Sequence, residues 1–321
     1  MIQTAVIGTG YLGKFHAEKI AQSPHAQLVA VCDTDLSRAQ DIANRYNTKA
    51  YQNYRDLLGL VDAVHVVTPT QTHYAIAKAF LEKGTHTLIE KPIATTIEHA
   101  QQLIDIASIN NAILQVGHLE RFNNAVKAIA RRIKSPKFIE STRLAAFKTR
   151  GTDVNVILDI MIHDIDIIHS IVQSQITDIQ ATGTPVVSGA IDIANARISF
   201  TNGCTANITA SRFSLLNKRK IRIFCPNQYI SADLNQKEIV VHKRSHEPTQ
   251  QQSTPGISTE RFNFEQGDAL KDQIESFFDC ILNNNTPLVS GHEGKEALIT
   301  ALTITNIIKK QHQAFQVEQA T

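Results

Sequence analysis

A glycine-rich turn directly after the first apolar strand constrains the fold more than any other feature of the sequence. Gly8-Thr9-Gly10-Tyr11-Leu12-Gly13 follows an apolar run and opens a helical pattern at residues 11–22. In such a GxGxxG turn the first glycine permits a tight turn, the second lets a pyrophosphate approach, and the third allows close helix packing. Unpaired N–H groups and the helix dipole favour phosphate there. The alternative is a tight turn with a purely structural role.

Short apolar strands alternate with longer helical patterns through the first third of the chain. Strand patterns cover residues 4–7, 27–32, 63–67, 85–89 and 112–116, and helical patterns separate them at 11–22, 36–46, 72–83 and 97–110. Strands that recur with helices between them form a parallel sheet with right-handed crossovers. We therefore expect an α/β fold in which residues 1–118 form a Rossmann-type domain with a parallel sheet.

An acidic residue ends the second strand pattern. Asp33 lies twenty residues after Gly13, where a carboxylate can accept hydrogen bonds from the hydroxyls of an adenosine ribose. The same carboxylate repels a 2′-phosphate, and the next arginine, Arg38, falls on the following helix. The pattern predicts NAD rather than NADP. A helix cap is the alternative role for Asp33, although Asp35 or Ser37 could fill that role instead.

After about residue 118 the sequence alternates residue by residue. Strand patterns at 194–200 and 204–211 flank Thr201-Asn202-Gly203, and an Asn-Gly pair indicates a hairpin turn. We expect residues 119–321 to form an α+β domain with an open, mainly antiparallel sheet, for substrate binding and oligomerisation. Residues 245–260 lack apolar periodicity and are predicted to form a loop. Further strands are expected at 220–224, 229–232 and 239–242, and helices at 156–172, 269–282 and 293–310, the last able to pack back on the first domain.

Composition and charge restrict the class of partner. The 321 residues are 42% hydrophobic and 19% charged, with a formal net charge of +2, so nothing favours nucleic acid or a membrane surface. The N-terminus predicts a first strand rather than a secretory signal. The four cysteines show no CxxC pair, which is typical of a reducing compartment. We expect a cytoplasmic protein that binds a small molecule.

A lysine before proline follows the fourth strand pattern. Glu90-Lys91-Pro92 comes at the carboxyl end of this strand, and Thr68-Pro69-Thr70 at that of the third. Ligands bind at this edge of open α/β sheets. Pro92 restricts the backbone of Lys91, and an ammonium near a reacting hydroxyl can stabilise the developing alkoxide. A surface lysine paired with Glu90 is the alternative.

A later helical pattern carries a histidine between acidic residues. At about 100° per residue, Asp159, His163 and Asp166 share one face, whereas Asp164 points away. A carboxylate can orient the His163 imidazole, which is what a general base requires. A buried structural histidine, a metal site made by His163 with the carboxylates, and the His-Asp pair of a metal phosphohydrolase are the alternatives. We expect no metal, because no further set of histidine ligands accompanies the pair.

Together these segments resemble the Gfo/Idh/MocA oxidoreductase family. The shared pattern is the glycine turn, Asp33, the TPxxxH-like segment that ends at His73, Glu90-Lys91-Pro92, and Asp159 with His163. The resemblance implies an NAD-dependent oxidoreductase acting on a CH–OH group, with Lys91, Asp159 and His163 as catalytic residues. It also implies a homo-oligomer, dimer or tetramer, that associates through the C-terminal sheet. Met161 departs from the family, which often has glycine there. The cofactor-binding residues expected on this basis are Gly8, Gly10, Tyr11, Leu12, Gly13, Asp33, Thr68, Pro69, Thr70, His73, Glu90 and Lys91.

The segments 117–123 and 147–153, with LDIMIHDID after them, resemble a narrower branch of the family. It comprises bacterial UDP-N-acetylglucosamine 3-dehydrogenases, which make a 3-keto sugar for later amination into lipid A precursors. The resemblance implies a nucleotide-sugar substrate. The alternatives are another sugar, a UDP-sugar uronate or an inositol-like polyol as substrate, and an NAD-sensing regulator without turnover. Candidate substrate contacts are His118, Glu120, Arg121, Asn123, Arg150, Asp159 and His163, of which the first five could equally be structural. Arginine would suit the diphosphate.

Overall fold

A computed structural model describes residues 1–147, 154–245, 256–264 and 267–320, with the backbone alone for 315–320. The chain divides into two compact units. One unit is Met1–Phe122 with Asp268–Leu298, and the other is Asn123–Gly267 with Ile299–Thr321. Residues 268–298 therefore cluster with the first unit, whereas the sequence prediction assigned 119–321 to the second domain and allowed only the helix at 293–310 to pack back on the first.

The first unit is built on a six-stranded parallel sheet. The strand order is β3-β2-β1-β4-β5-β6, with all five neighbouring pairs parallel. This order confirms the Rossmann-type fold predicted from the alternation of strands and helices. Its elements are β1 (Ile2–Ile7), α1 (Gly13–Ala21), β2 (Ala26–Cys32), α2 (Leu36–Tyr46), β3 (Lys49–Tyr51), β4 (Ala63–Val66), α3 (Thr70–Leu81), β5 (His86–Glu90), α4 (Ile97–Ile109) and β6 (Leu114–Gly117).

A helix from late in the chain completes the core of this unit. Helix α7, which follows residues 123–267 of the second unit in the chain, is Ala269–Asn283. Its Ile274, Phe277 and Phe278 are fully buried and pack in one cluster with Val6 of β1 and Leu88 of β5. Each such side chain contributes roughly 1.5–3 kcal/mol by burial.

The second unit is built on an eight-stranded sheet with the order β14-β13-β12-β11-β7-β10-β9-β8. Its neighbours are antiparallel except for β10 and β7, which are parallel. The expected open, mainly antiparallel sheet is thus confirmed. Its elements are α5 (Asn124–Arg132), β7 (Phe138–Leu144), α6 (Ile162–Val172), β8 (Ile176–Thr184), β9 (Ile193–Phe200), β10 (Thr205–Ser211), β11 (Lys218–Cys225), β12 (Gln228–Asp233), β13 (Glu238–Arg244) and β14 (Ile257–Asn263).

A buried ion pair anchors α6 to this sheet. Arg143 of β7 donates from Nε to Asp164 Oδ2 at 2.6 Å and from Nη2 to Oδ1 at 3.2 Å. Ser141 Oγ also donates to Asp164 Oδ1, at 2.8 Å. The arginine side chain is 5% exposed and the aspartate side chain 2%. The Asp164 carboxylate is therefore bound to two residues of β7, and this contact fixes the rotation of α6 about its axis.

Several elements differ from the sequence prediction. The hairpin at Asn202-Gly203 is confirmed, with Gly203 at φ +79° between the antiparallel β9 and β10. The loop predicted at 245–260 is wrong at its end, because β14 begins at Ile257 and pairs with β13; residues 246–255 lie outside the described residues. The last helix, α8, is Gly291–Ala320 and is longer than predicted. Across the described ranges, no helix combines the length and the apolar character needed to cross a membrane.

Candidate active site

The three glycines of the turn between β1 and α1 have different structural requirements. Gly8 has φ +94°, and a Cβ there would lie 2.5 Å from the carbonyl oxygen of Val67. A Cβ at Gly13 would overlap the carbonyl oxygen of Gly8. At Gly10 a Cβ would meet nothing within 4 Å. The fold therefore needs glycine at the first and third positions, and the space over Gly10 fits the approach of a pyrophosphate.

Asp33 lies at the end of β2 and holds the glycine turn. Its Oδ2 accepts from the backbone N–H of Thr9 at 2.8 Å and from the Thr9 hydroxyl at 3.0 Å, and its Oδ1 accepts from the N–H of Asp35 at 3.0 Å. A carboxylate oxygen has two lone pairs, so Oδ1 keeps capacity for a ribose hydroxyl. Asp35 caps α2 through Ser37 and contacts Arg38 at 3.0 Å. The cap is therefore Asp35, and the carboxylate of Asp33 fits the ribose role.

One imidazole joins the ends of two neighbouring strands. His73, on α3, lies with Nε2 2.8 Å from the carbonyl oxygen of Thr68 and with Nδ1 2.9 Å from that of Pro92. Burial lowers the pKa of His73, although the two carbonyl groups partly offset this shift. Helix α3 begins at Thr70, with Pro69 in the cap position. Thr68, Pro69, Thr70 and His73 thus lie together at the predicted edge of the sheet.

Glu90 and Lys91 follow β5 at the same edge. Glu90 pairs in register with Gly117 of β6, and a Cβ at Gly117 would lie 2.5 Å from Glu90 Oε1. The missing side chain of Gly117 therefore leaves the space that the carboxylate occupies. The Lys91–Pro92 peptide bond is cis. Lys91 is half-buried.

Residues after β6 supply further polar groups in the first unit. His118 is fully buried and Glu120 is 7% exposed. Burial, together with the positive charges of Lys91 and Arg121, lowers the pKa of His118 to about 3. The imidazole is therefore neutral at physiological pH and close enough to Lys91 to feel its charge. Arg121 donates to the carbonyl oxygen of Leu288 at 3.4 Å.

In the second unit, Asp159 and His163 lie on a helix that begins with a wide turn. Residues Ile157–Met161 form a π-helical turn, in which the N–H of Ile162 reaches back to Ile157, and α6 continues from there. The 100° spacing used for the sequence prediction therefore does not apply to Asp159. Both Asp159 and His163 are half-buried. Single π turns inside helices occur frequently at functional sites.

Other predicted residues have structural surroundings. Asn123 caps α5, with its Oδ1 accepting from the N–H of Ala125 at 3.0 Å, which is the structural alternative for this residue. Asp166 is 2% exposed, and Met161, the departure from the family pattern, is fully buried. Arg150 lies outside the described residues. Among the described residues, no group of three or more His, Cys, Asp or Glu could hold a metal ion.

Sequence reasoning missed four residues beside the predicted ones. Thr9 binds Asp33, Gly117 makes room for Glu90, and His16 and His65 form a buried pair next to Glu90. His65 could have been found from the sequence, because it is a polar residue inside the otherwise apolar strand β4. The other three contacts depend on the packing of separate strands and helices, which a single sequence does not encode locally.

Known proteins are similar to this chain along most of its length. A model of the oxidoreductase family GFO/IDH/MocA with an NAD-binding Rossmann fold matches residues 2–118, and that of its C-terminal domain matches residues 128–231. UDP-N-acetylglucosamine 3-dehydrogenase from Acidithiobacillus ferrooxidans is 34% identical over 94% of this chain and 96% of its own. A solved structure of that enzyme matches with a TM-score of 0.91, covering 96% of this chain and 98% of the other.

A more distant relative acts on a polyol. A scyllo-inositol 2-dehydrogenase (NAD(+)) from Bacillus subtilis is 26% identical, over 95% of this chain and 93% of its own. The two family models together cover more than half of the residues, and they fall on the two parts of the chain that carry the two sheets. This chain belongs to the GFO/IDH/MocA oxidoreductase family and is an NAD-dependent dehydrogenase of the class that acts on sugar hydroxyls.

Proposed function

We propose that this enzyme oxidises the C3 hydroxyl of UDP-N-acetylglucosamine to the 3-keto sugar. The observation that carries the proposal is the 34% identity to an enzyme of that name along nearly the whole of both chains. The residues at the sheet edge are compatible with it, because Lys91 follows β5 beside the neutral His118. The product would serve as a precursor for amination in lipid A and lipopolysaccharide synthesis, and the site of action would be the cytoplasm.

Three side chains carry the proposed chemistry. When bound, NAD would accept the hydride that leaves the sugar carbon. The ammonium of Lys91 polarises the hydroxyl oxygen and stabilises the negative charge that develops on it. His163 accepts the hydroxyl proton, and Asp159 stabilises the imidazolium that results. Lys91 and His163 could exchange the role of proton acceptor.

The charge state of His118 limits its part in substrate binding. Because its pKa lies at about 3, His118 would meet a sugar hydroxyl as a neutral imidazole, which can both donate and accept a hydrogen bond. Arg121 and Arg150 are the proposed partners of the diphosphate, since a guanidinium binds phosphate oxygens through two parallel hydrogen bonds. Glu120 is the remaining proposed contact in this part of the chain.

The decisive experiment is incubation of the purified enzyme with UDP-N-acetylglucosamine and NAD. We expect NADH absorbance to rise and a product two hydrogen atoms lighter to appear, with a carbonyl reagent to trap it. Parallel reactions with myo-inositol, scyllo-inositol and a UDP-sugar uronate test the alternatives, of which inositol is favoured by the full-length inositol relative. NADH binding without turnover on any of these compounds would instead indicate a sensor.

Matched variants separate catalysis from folding. Lys91→Met should lower kcat by at least about 100-fold while NAD binding is retained, because the charge stabilises the developing alkoxide. Lys83→Met, an exposed lysine after α3, is the control. His163→Gln should act similarly. Its control is His169→Gln on the same helix, because His169 has no role in the proposed chemistry and contacts Thr300 Oγ1 at 2.9 Å. Turnover of Lys91→Met near that of wild type would remove Lys91 from the proposed mechanism.

We further propose that the C-terminal sheet associates with that of a second copy. Support comes from an aromatic row on one face of four strands, in which Phe138, Phe224, Tyr229 and His242 succeed one another with ring centroids 4.7–5.7 Å apart. All four side chains are half-buried in the single chain. Light scattering should give the mass of a dimer or tetramer, and Tyr229→Glu should shift that mass toward the monomer.

A further inference from the structure

A chain of buried polar side chains leads from the interior of the first unit to the carboxylate beside Lys91. His65 of β4 and His16 of α1 are both fully buried, and their Nδ1 atoms lie 3.1 Å apart. His16 Nε2 lies 3.2 Å from Glu90 Oε1, and the glutamate side chain is 13% exposed. The mechanism proposed above uses neither histidine. Polar groups at such depth are costly unless they interact with each other.

One arrangement of the protons fits both contacts. In it, His16 carries a proton on Nε2, toward the carboxylate, and its Nδ1 accepts a hydrogen bond. His65 must then donate from Nδ1 to His16. The His65 ring lies beside those of Phe277 and Phe278, whose centroids are 5.5 and 5.7 Å from its own. Full burial holds the pKa of His65 well below its usual value, so the ring is neutral.

The end of this chain lies one residue from the proposed catalytic lysine. Glu90 occupies the space left by Gly117 and is directly followed by Lys91 and the cis peptide bond to Pro92. Rotation of the Glu90 side chain is thus limited on one side by β6 and on the other by His16. The carboxylate is thus held at the residue directly before the proposed catalytic lysine.

We propose that His16 and His65 are positioning residues for Lys91, acting through the hydrogen bond between the two imidazoles and the 3.2 Å contact of His16 Nε2 with the Glu90 carboxylate. This inference depends on the proposed function of Lys91. The competing explanation is that the two histidines merely fill space under α1 and α7.

Two substitutions of His65 separate these explanations, because each explanation predicts a different order of kcat for the two variants. Asparagine keeps an N–H donor near the position of Nδ1 but is smaller than histidine, whereas leucine fills the space and cannot donate. If His65 positions Lys91, His65→Leu should lower kcat by about 10-fold or more, since a small misplacement of a reacting group is costly. His65→Asn should stay within about threefold of wild type, and the dissociation constant of NADH should change by less than about twofold in both. A packing role predicts that leucine is tolerated better than asparagine.

The same comparison applies to His16. His16→Gln keeps a donor near the position of Nε2 and should retain kcat to within about threefold, whereas His16→Leu should lose about 10-fold. Thermal unfolding of each variant identifies any that fail to fold. Wild-type kcat in both leucine variants would overturn the proposal.

Two measurements do not depend on turnover. Nitrogen-15 NMR of the imidazoles should show the Nδ1–H form of His65 and the Nε2–H form of His16 in wild type. A crystal structure of His65→Leu should show the Glu90 carboxylate moved away from Gly117, with a changed position of Lys91. If wild type lacks turnover on every sugar, the proposed function fails but these two results still decide the inference. The opposite tautomers, or an unmoved Glu90 and Lys91, would refute it.

Discussion

Asp164→Asn tests whether the buried ion pair under α6 is a main determinant of the stability of the second unit. The substitution keeps the shape of the side chain but removes the negative charge that Asp164 places against the Arg143 guanidinium, which is 5% exposed. Removing one partner of a buried pair costs about 3–5 kcal/mol. We take about 3 kcal/mol, because the amide can still accept a hydrogen bond from Arg143. For a unit of this size that loss lowers Tm by roughly 6–12 °C.

Thermal and urea unfolding, followed by circular dichroism, measure this change. Glu82→Gln is the control, because Glu82 contacts Lys78 at 3.8 Å with both side chains more than 40% exposed, and an exposed pair contributes about 1 kcal/mol or less. The double variant Arg143→Met with Asp164→Leu should recover most of the loss, since an apolar pair of similar volume needs no counter-charge. If Asp164→Asn costs no more than Glu82→Gln, the argument from burial is refuted.

Four further substitutions test the candidate site. Gly10→Ala should leave the Tm of the free enzyme within about 1 °C of wild type, because the space over Gly10 is open, but it should weaken NAD binding by about 10-fold or more. Gly8→Ala should instead lower the Tm of the free enzyme. Calorimetry of both variants checks this. Asp33→Ala should weaken NAD binding and improve NADP binding, since the carboxylate that repels a 2′-phosphate is gone, and equal affinities before and after would count against the ribose role. The pKa of His118 is lowered to about 3 in the folded chain, whereas in the unfolded chain this histidine binds a proton near pH 6.5. Between these two values only the unfolded state is protonated. The free energy of unfolding should therefore fall by about 1.4 kcal/mol per pH unit as the pH drops from 6.5 toward 3. His118→Gln should remove this contribution, and urea unfolding at several pH values measures the slope.

Local signals were sufficient for five of the six strands of the first sheet and for its cofactor loop, whereas the short strand β3 was not predicted. The alternation of strands and helices predicted the Rossmann-type fold, and the turn at Asn202-Gly203 predicted the hairpin of the second sheet. Strand β7 was not predicted, because the charged Arg143 occupies an inward position and so interrupts the apolar alternation of a strand. Arg143 can be buried there only because Asp164 pairs with it. A charge that is neutralised by a residue 21 positions away leaves no trace in a local hydrophobic pattern.

Long-range contacts also limit what could be predicted of the site. Asp33 and Lys91 lie where their strands predict, but the side chains that hold the neighbouring Glu90 come from elsewhere. His16 and His65 are 49 residues apart and meet because α1 packs over β4. The π-helical turn at Ile157–Met161 was equally hidden, since a single extra residue in a helical turn has no signature that periodicity could detect.

The discontinuous make-up of the first unit has a consequence for its synthesis. Its sheet is complete once the ribosome has passed Gly117, yet Phe277 and Phe278, which cover one face, come about 160 residues later. At roughly 5–20 residues per second, this interval lasts about 8–32 s. During that time an apolar face that includes Val6 and Leu88 has no α7 to cover it. The core of the first unit is therefore incomplete for as long as the second sheet is being made.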